Sequence, residues 1–380
     1  MFDFDTPIDR SQSDSSKWQL YAGQDVLPMW VADMDFAAPP AVTAAVVERA
    51  THGVFGYGDA TPGAIKAVVD ALQRDYGWPI APEWLVWLPG LVVGLNVACR
   101  ATGGEQDPVL TATPIYPPFM SAPQLSNRPL NKMPLRHDHG EWHWDFDALQ
   151  AALEAGSKTL MLCNPHNPVG RVWRRDELER LAHFAEAHDI TVISDEIHCD
   201  LILDDDTPFI PFASLPGMAA RTITLMAPSK TYNVPGLGAA FAVIPDAALR
   251  QRFERVKAGI VPHINLFGYV ACEAAYRDGA PWRAELLQVL RRNRDLVVKA
   301  LDGVDGVRVT HPQATYLAWI DCRAAGIENP KAFFEAAGVG LSDGAAFGAP
   351  GFVRLNFGCP LPTLQEALRR MRDALVARAG

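Results

Sequence analysis

The chain has 380 residues, 49% apolar and 21% charged, with a formal net charge of −10 at pH 7. That length suits a large core with a satellite or second domain, and the composition is ordinary for a globular protein. The acidic balance has no Lys/Arg cluster to offset it, which argues against a nucleic-acid surface.

The six cysteines (Cys99, Cys163, Cys199, Cys272, Cys322 and Cys359) are scattered and lack paired spacing. They read as buried small hydrophobes in a reducing compartment, not as disulfides or zinc ligands. His198 and Cys199 are adjacent, and neighbours on a strand point to opposite faces, so no metal site is expected. Met1 to Lys17 is acidic and polar without an apolar core, unlike a signal peptide. The most apolar stretch, Trp84–Cys99, is broken by Pro89-Gly90 and falls short of a membrane span. A cytoplasmic location is expected.

In chain order, strand-like and helix-like segments alternate, the pattern of an α/β protein with a largely parallel sheet. Trp84–Leu88 reads as a strand running into Pro89-Gly90, followed by a helix over Leu91–Arg100. Pro108–Ala112 and Thr159–Cys163 read as strands that stop at Thr113-Pro114 and Asn164-Pro165. Arg174–His188 has helical periodicity through Leu178, Leu181, Ala182 and Ala185. Thr191–Ser194, Thr222–Leu225 and Ala239–Ile244 read as further strands. Beyond residue 280 a long amphipathic helix over Trp282–Leu301 precedes strands at Val307–Val309, Tyr316–Ile320 and Phe352–Asn356. Helices are expected near Lys331–Ala337 and Thr363–Ala379. The division this suggests is a large domain over 46–280 and a smaller α+β domain from 281–380 joined by the arm 1–45.

Several polar residues fall at the carboxyl ends of these strands, where open α/β sheets hold ligands. Lys230 follows the run Thr222–Leu225 among small residues. It is either a lysine snorkelling into water or an amine committed to an aldehyde, as in an imine with pyridoxal 5′-phosphate (PLP). Asp195 is either a cap or surface ion-pair member, or a carboxylate that keeps a pyridine nitrogen protonated. Asn167, in the turn Asn164-Pro165-His166-Asn167-Pro168-Val169-Gly170, is a turn residue or an amide donor to a phenolate oxygen. His198 is a core histidine or a second polar contact at the ring's edge. Gly90, Leu91 and Val92 open a helix whose free N–H groups suit a phosphate. Arg354 is an arginine on the exposed side of an alternating strand or a fork for a substrate α-carboxylate. Tyr116 packs in the core or stacks on a planar ring. Tyr57, in Phe55-Gly56-Tyr57-Gly58, sits in a surface turn or reaches across a dimer interface. No G-x-G-x-x-G, G-x-S-x-G or Walker loop is present, which removes support for dinucleotide, hydrolase and nucleotide triphosphatase readings.

Taken in order, Tyr57, Gly90, Tyr116, Asn167–Gly170, Asp195, Ser229-Lys230 and Arg354 resemble the class I/II aminotransferase-like, fold-type I PLP enzymes over nearly the whole chain. Met29-Trp30-Val31-Ala32-Asp33-Met34-Asp35-Phe36, Ser194-Asp195-Glu196-Ile197-His198 and Ala227-Pro228-Ser229-Lys230-Thr231 resemble the cystathionine β-lyase (cysteine–sulfur lyase) branch. The resemblance implies a three-layer α/β/α large domain around a mostly parallel seven-stranded sheet and a smaller α+β domain. It implies PLP on Lys230 and a homodimer in which Tyr57 of one chain touches the phosphate held by the other. The cofactor would be held by Gly90, Leu91, Val92, Tyr116, Asn167, Asp195, His198, Ser229 and Lys230. The substrate would be bound by Arg354, Ala32, Asn167 and Tyr116, with Trp30–Asp35 at the entrance and Phe347 near the pocket. Two positions depart from many aminotransferases, where a serine and an arginine hold the phosphate: here they are Ala227 and Gly238. The activity implied is α,β-elimination of cystathionine or related cysteine S-conjugates to thiol, pyruvate and ammonia, in amino-acid metabolism and methionine biosynthesis. An aminotransferase shares the same Cα carbanion and is the alternative; a PLP-fold regulator with little turnover is a third reading.

Overall fold

The computed structural model describes residues 2–153 and 157–379. Its central sheet has seven strands: β1 (Leu85–Leu88), β2 (Val109–Thr113), β3 (Leu130–Pro134), β4 (Thr159–Cys163), β5 (Thr191–Asp195), β6 (Thr222–Met226) and β7 (Ala240–Val243). They lie in the order β1-β7-β6-β5-β4-β2-β3. All run parallel except β7, which is antiparallel to both neighbours. Six of the seven lie within a residue or two of the apolar runs expected to form them. The edge strand β3 was not apparent from its sequence, because Leu-Asn-Lys-Met-Pro buries only Met133 and carries no apolar run.

Successive residues of the central strands face opposite layers. Leu160, Leu162 and Val192 join the core under the helix Arg175–Ala187, while Met161, Cys163 and Ile193 join the one under the helix Leu91–Ala101. This gives the expected α/β/α layering. The pattern also left residues 37–83 without an element, where two helices form, Pro40–Thr51 and Pro62–Tyr76. Each has a proline in its first turn; the second is capped by Thr61 Oγ1 and stopped by Gly77 at φ 61°. The division expected at residue 46 therefore falls inside a helix, and the one at 281 falls one residue into the helix Ala280–Leu301.

The C-terminal part adds a four-stranded antiparallel sheet of β8 (Arg308–Thr310), β9 (Leu317–Asp321), β10 (Ser342–Asp343) and β11 (Phe352–Asn356), in the order β8-β9-β11-β10. All six cysteines are buried and free, and no described helix is long and apolar enough to cross a membrane.

The N-terminal arm is tied down by buried charge. Lys17 Nζ lies 2.7 Å from Asp35 Oδ2 and donates to the Asp33 carbonyl, while Arg10 bridges Asp33 and Asp35. The Trp18 indole adds a third donor to Asp35. Removing one partner of such a pair strands the other charge away from water, so Lys17→Ala is expected to lower unfolding free energy by about 3 kcal/mol in urea titrations.

Candidate active site

The carboxyl ends of β1, β2, β4, β5 and β6 open onto one cavity, which Gly238 borders just before β7 and Ala32 borders from the arm. Lys230, Ser229, Asp195, His198, Asn167, Tyr116, Gly90, Leu91 and Val92 all line it. Register explains the convergence: Cys163 pairs with Asp195 and Asp195 with Leu225, so the turns that follow these strands leave the sheet side by side.

Asp195 accepts the Ile197 N–H at 3.1 Å, and burial pushes its carboxyl up to about 7. Lys230 faces it. Burial, reinforced by the positive charge of Arg354, brings the Lys230 amine down to about 8, against the pull of Asp33 and Asp195. Its Nζ donates to the Ala32 carbonyl at 2.6 Å. His198 is buried, its Nδ1 has no partner among the described residues, and desolvation lowers it to about 3, which keeps the ring neutral.

Arg354 resolves the two readings of its strand. All five residues of β11 are buried, so no exposed face exists for it to occupy. Burial lowers its guanidinium to about 10. Nη1 donates to Asn167 Oδ1 at 2.9 Å and Nη2 to the Trp30 carbonyl at 3.1 Å, while Nε has no partner among the described residues. The Phe347 ring lies 4.7 Å beneath it. By occupying Asn167 Oδ1, Arg354 leaves that amide's NH₂ as a donor. His166 supports the same turn, with Nε2 2.8 Å from the Pro114 carbonyl. The Trp30 indole donates to the Lys17 carbonyl, so this residue serves the site through its backbone.

At the phosphate-sized end, the helix Leu91–Ala101 starts at Gly90 with no side-chain cap, leaving its first N–H groups open to an anion. Gly238 takes φ +61°, and a Cβ there would sit 3.3 Å from the Pro89 carbonyl. A side chain at that point would be strained by the left-handed backbone and crowded against that carbonyl, which suits glycine where many aminotransferases carry an arginine. Tyr57 stands apart: it is fully exposed and lines no part of this cavity in its own chain.

Three contributors gave no sequence signal. The Tyr316 hydroxyl donates to the Ala32 carbonyl at 2.9 Å, Ser342 Oγ donates to the Trp30 carbonyl at 2.8 Å, and the Asn356 amide donates to the carbonyls of Val31 and Asp33. Tyr316 and Asn356 sit inside or beside apolar strand runs and read as core.

These residues fit PLP. A carboxyl buried at the cavity wall is stabilised in its charged form by a cationic ring nitrogen, a depressed lysine is primed for an aldehyde, and an uncapped helix start receives a phosphate. The chain belongs to the aminotransferase class I and II family, whose model matches residues 24–371. It is 39% identical to cystathionine beta-lyase PatB of Bacillus subtilis (strain 168), over 98% of this chain and 99% of that one. Its fold superposes on the crystal structure of OvoB with a TM-score of 0.97 and 46% identity, covering 99% and 100% of the two chains. The PLP-bound C-S lyase of Staphylococcus hominis matches with a TM-score of 0.92 and 31% identity, over 99% and 98%.

Proposed function

We propose that this chain is a PLP-dependent carbon–sulfur β-lyase acting on cystathionine or a related cysteine S-conjugate. The observation that carries the reading is the cavity that brings Lys230 opposite Asp195, beside the Arg354–Asn167 pair. PatB, at 39% identity over nearly the full length, favours lyase over aminotransferase.

When bound, PLP supplies an electron sink for negative charge developing at the substrate's Cα. The chain's own residues do the rest. Asp195 would hold a proton on the ring nitrogen. Asn167 would donate its NH₂ to the phenolic oxygen, with His198 as a second polar contact. Gly90, Leu91, Val92 and Ser229 would receive the phosphate, and Tyr116 would pack on the ring. Arg354 takes the substrate carboxylate, with Ala32, Asn167 and Tyr116 around it. Lys230, near half-neutral at pH 8, takes the Cα proton. Loss of the Cβ sulfur then releases a thiol and leaves a fragment that hydrolyses to pyruvate and ammonia.

The reading extends to a homodimer. Val54, Phe55, Tyr57 and Ile260 are exposed large apolar or aromatic side chains, and Phe55 and Tyr57 share a surface depression with residues 262–267, a face that a second copy would cover. Tyr57 would then reach the neighbour's phosphate. A cytoplasmic role in methionine biosynthesis is consistent with free, buried cysteines and with this substrate class.

Purified protein with PLP and cystathionine is expected to give pyruvate and free thiol in equal amounts without an added keto acid. Amino transfer that requires a keto acid and releases no thiol would reject the lyase in favour of the aminotransferase.

A further inference from the structure

The segment from Trp30 to Met34, whose Ala32 borders the cavity, has no strand of its own. Its carbonyls are nevertheless satisfied one after another by side chains. Arg354 and Ser342 donate to Trp30, Asn356 to Val31, Tyr316 and Lys230 to Ala32, Asn356 and Lys17 to Asp33, and Asn233 and Arg10 to Met34. Buried carbonyls need partners, but here five in a row draw them from residues up to 325 positions away. Such a row fixes where each oxygen stands. At Ala32 the oxygen carries two donors: the amine at 2.6 Å and a fully buried phenol at 2.9 Å.

We propose that the Ala32 carbonyl is the docking point of the Lys230 amine whenever that amine is free, and that Tyr316 is a positioning residue that holds this carbonyl and shares it with the amine. The proposal deepens the lyase reading and rests on it for its catalytic consequence. An amine that donates one N–H to a fixed oxygen keeps its lone pair off that oxygen and loses freedom of position, which favours its meeting a proton in the cavity. In the step this serves, the Cα–H bond breaks, the proton goes to Nζ, and the electron pair stays on the substrate side.

The hydroxyl has a second effect. An ammonium leans on its acceptor more strongly than a neutral amine does, and a carbonyl already accepting from Tyr316 is a weaker partner for it. The other charged and titratable groups facing Lys230 are Asp195, Asp33, Arg354 and His198. All four remain in place in Tyr316→Phe, so a change in the lysine reports the hydroxyl.

The test uses cofactor-free protein and trace acetic anhydride, with acetylation of Lys230 quantified by peptide mass across pH 6–10. In Tyr316→Phe the Lys230 profile is expected to move alkaline by about half to one pH unit relative to wild type. In the PLP-loaded variant, deuterium exchange at Cα of L-alanine, which has no leaving group, is expected to slow about tenfold at pH 7 with KM within twofold. Its acidic limb should move alkaline by the same amount as the labelling profile. A labelling profile that stays put or moves acid overturns the docking, whatever the enzyme's reaction proves to be, because that arm needs neither cofactor nor substrate. Exchange that falls only as far as cofactor retention falls reduces Tyr316 to a structural role. If Tyr316→Phe does not fold, Tyr316→Leu carries the same comparison.

Discussion

Lys230→Ala is expected to yield a folded protein that stays colourless when supplied with PLP and turns over cystathionine at least about a thousandfold more slowly than wild type. Two functions leave together: the amine that would bind the aldehyde and the base that would take the Cα proton. The fold should survive because nothing structural hangs on the amine. Its one hydrogen bond among the described residues goes to the Ala32 carbonyl, which keeps Tyr316. The buried site pushes the amine down to about 8, so the folded state disfavours its charge and deleting it removes a cost. The check has three readings on one preparation: visible absorbance, pyruvate release, and the mass of the peptide containing residue 230 after borohydride. Wild type should be yellow and carry a reduced adduct on Lys230. A Lys230→Ala protein that keeps full colour and full turnover would place the cofactor elsewhere. One that keeps its full biological effect without turnover would favour a regulator.

Why the lysine was legible and its cradle was not is a matter of distance along the chain. Strand ends announce themselves locally. Thr191–Asp195 and Thr222–Met226 are apolar runs stopped by polar or small residues, and the position of Asp195 and Lys230 at those ends follows from the run. Arg354 was ambiguous because alternation assumes one wet face, and β11 has none. The contacts of Trp30–Met34 join the arm to Asn233, Tyr316, Ser342, Arg354 and Asn356, side chains about 200 to 325 positions distant. Contacts of that span leave no periodicity. The same holds for β3, whose polar edge position is decided by pairing with β2 alone.

Asp195→Asn is expected to separate activity from stability in opposite directions. In the PLP-loaded enzyme the amide cannot hold a proton on the ring nitrogen, and turnover should fall on the order of a hundred- to a thousandfold with little change in KM. In the cofactor-free protein the same change should stabilise. The Asp195 carboxyl is pushed up to about 7 by burial, against an ordinary value of 3.8. Between those two values the folded state keeps a proton that the unfolded state releases, so wild-type stability falls as pH rises through that window and the loss is complete above pH 7. Asparagine has no proton to lose, and its side-chain oxygen can still accept the Ile197 N–H. Glu196, buried next to it and raised to about 8, titrates in both proteins and so affects the comparison only weakly. Urea midpoints should therefore nearly coincide at pH 4 and diverge by pH 8, the variant then being more stable by about 4 kcal/mol. Adding PLP should reverse the order, because a cationic nitrogen facing Asp195 supplies the charge its site lacks. Equal midpoints at pH 8 would mean that water already neutralises the cost of this buried acid. Retention of full turnover would mean that the ring nitrogen needs no acid partner here.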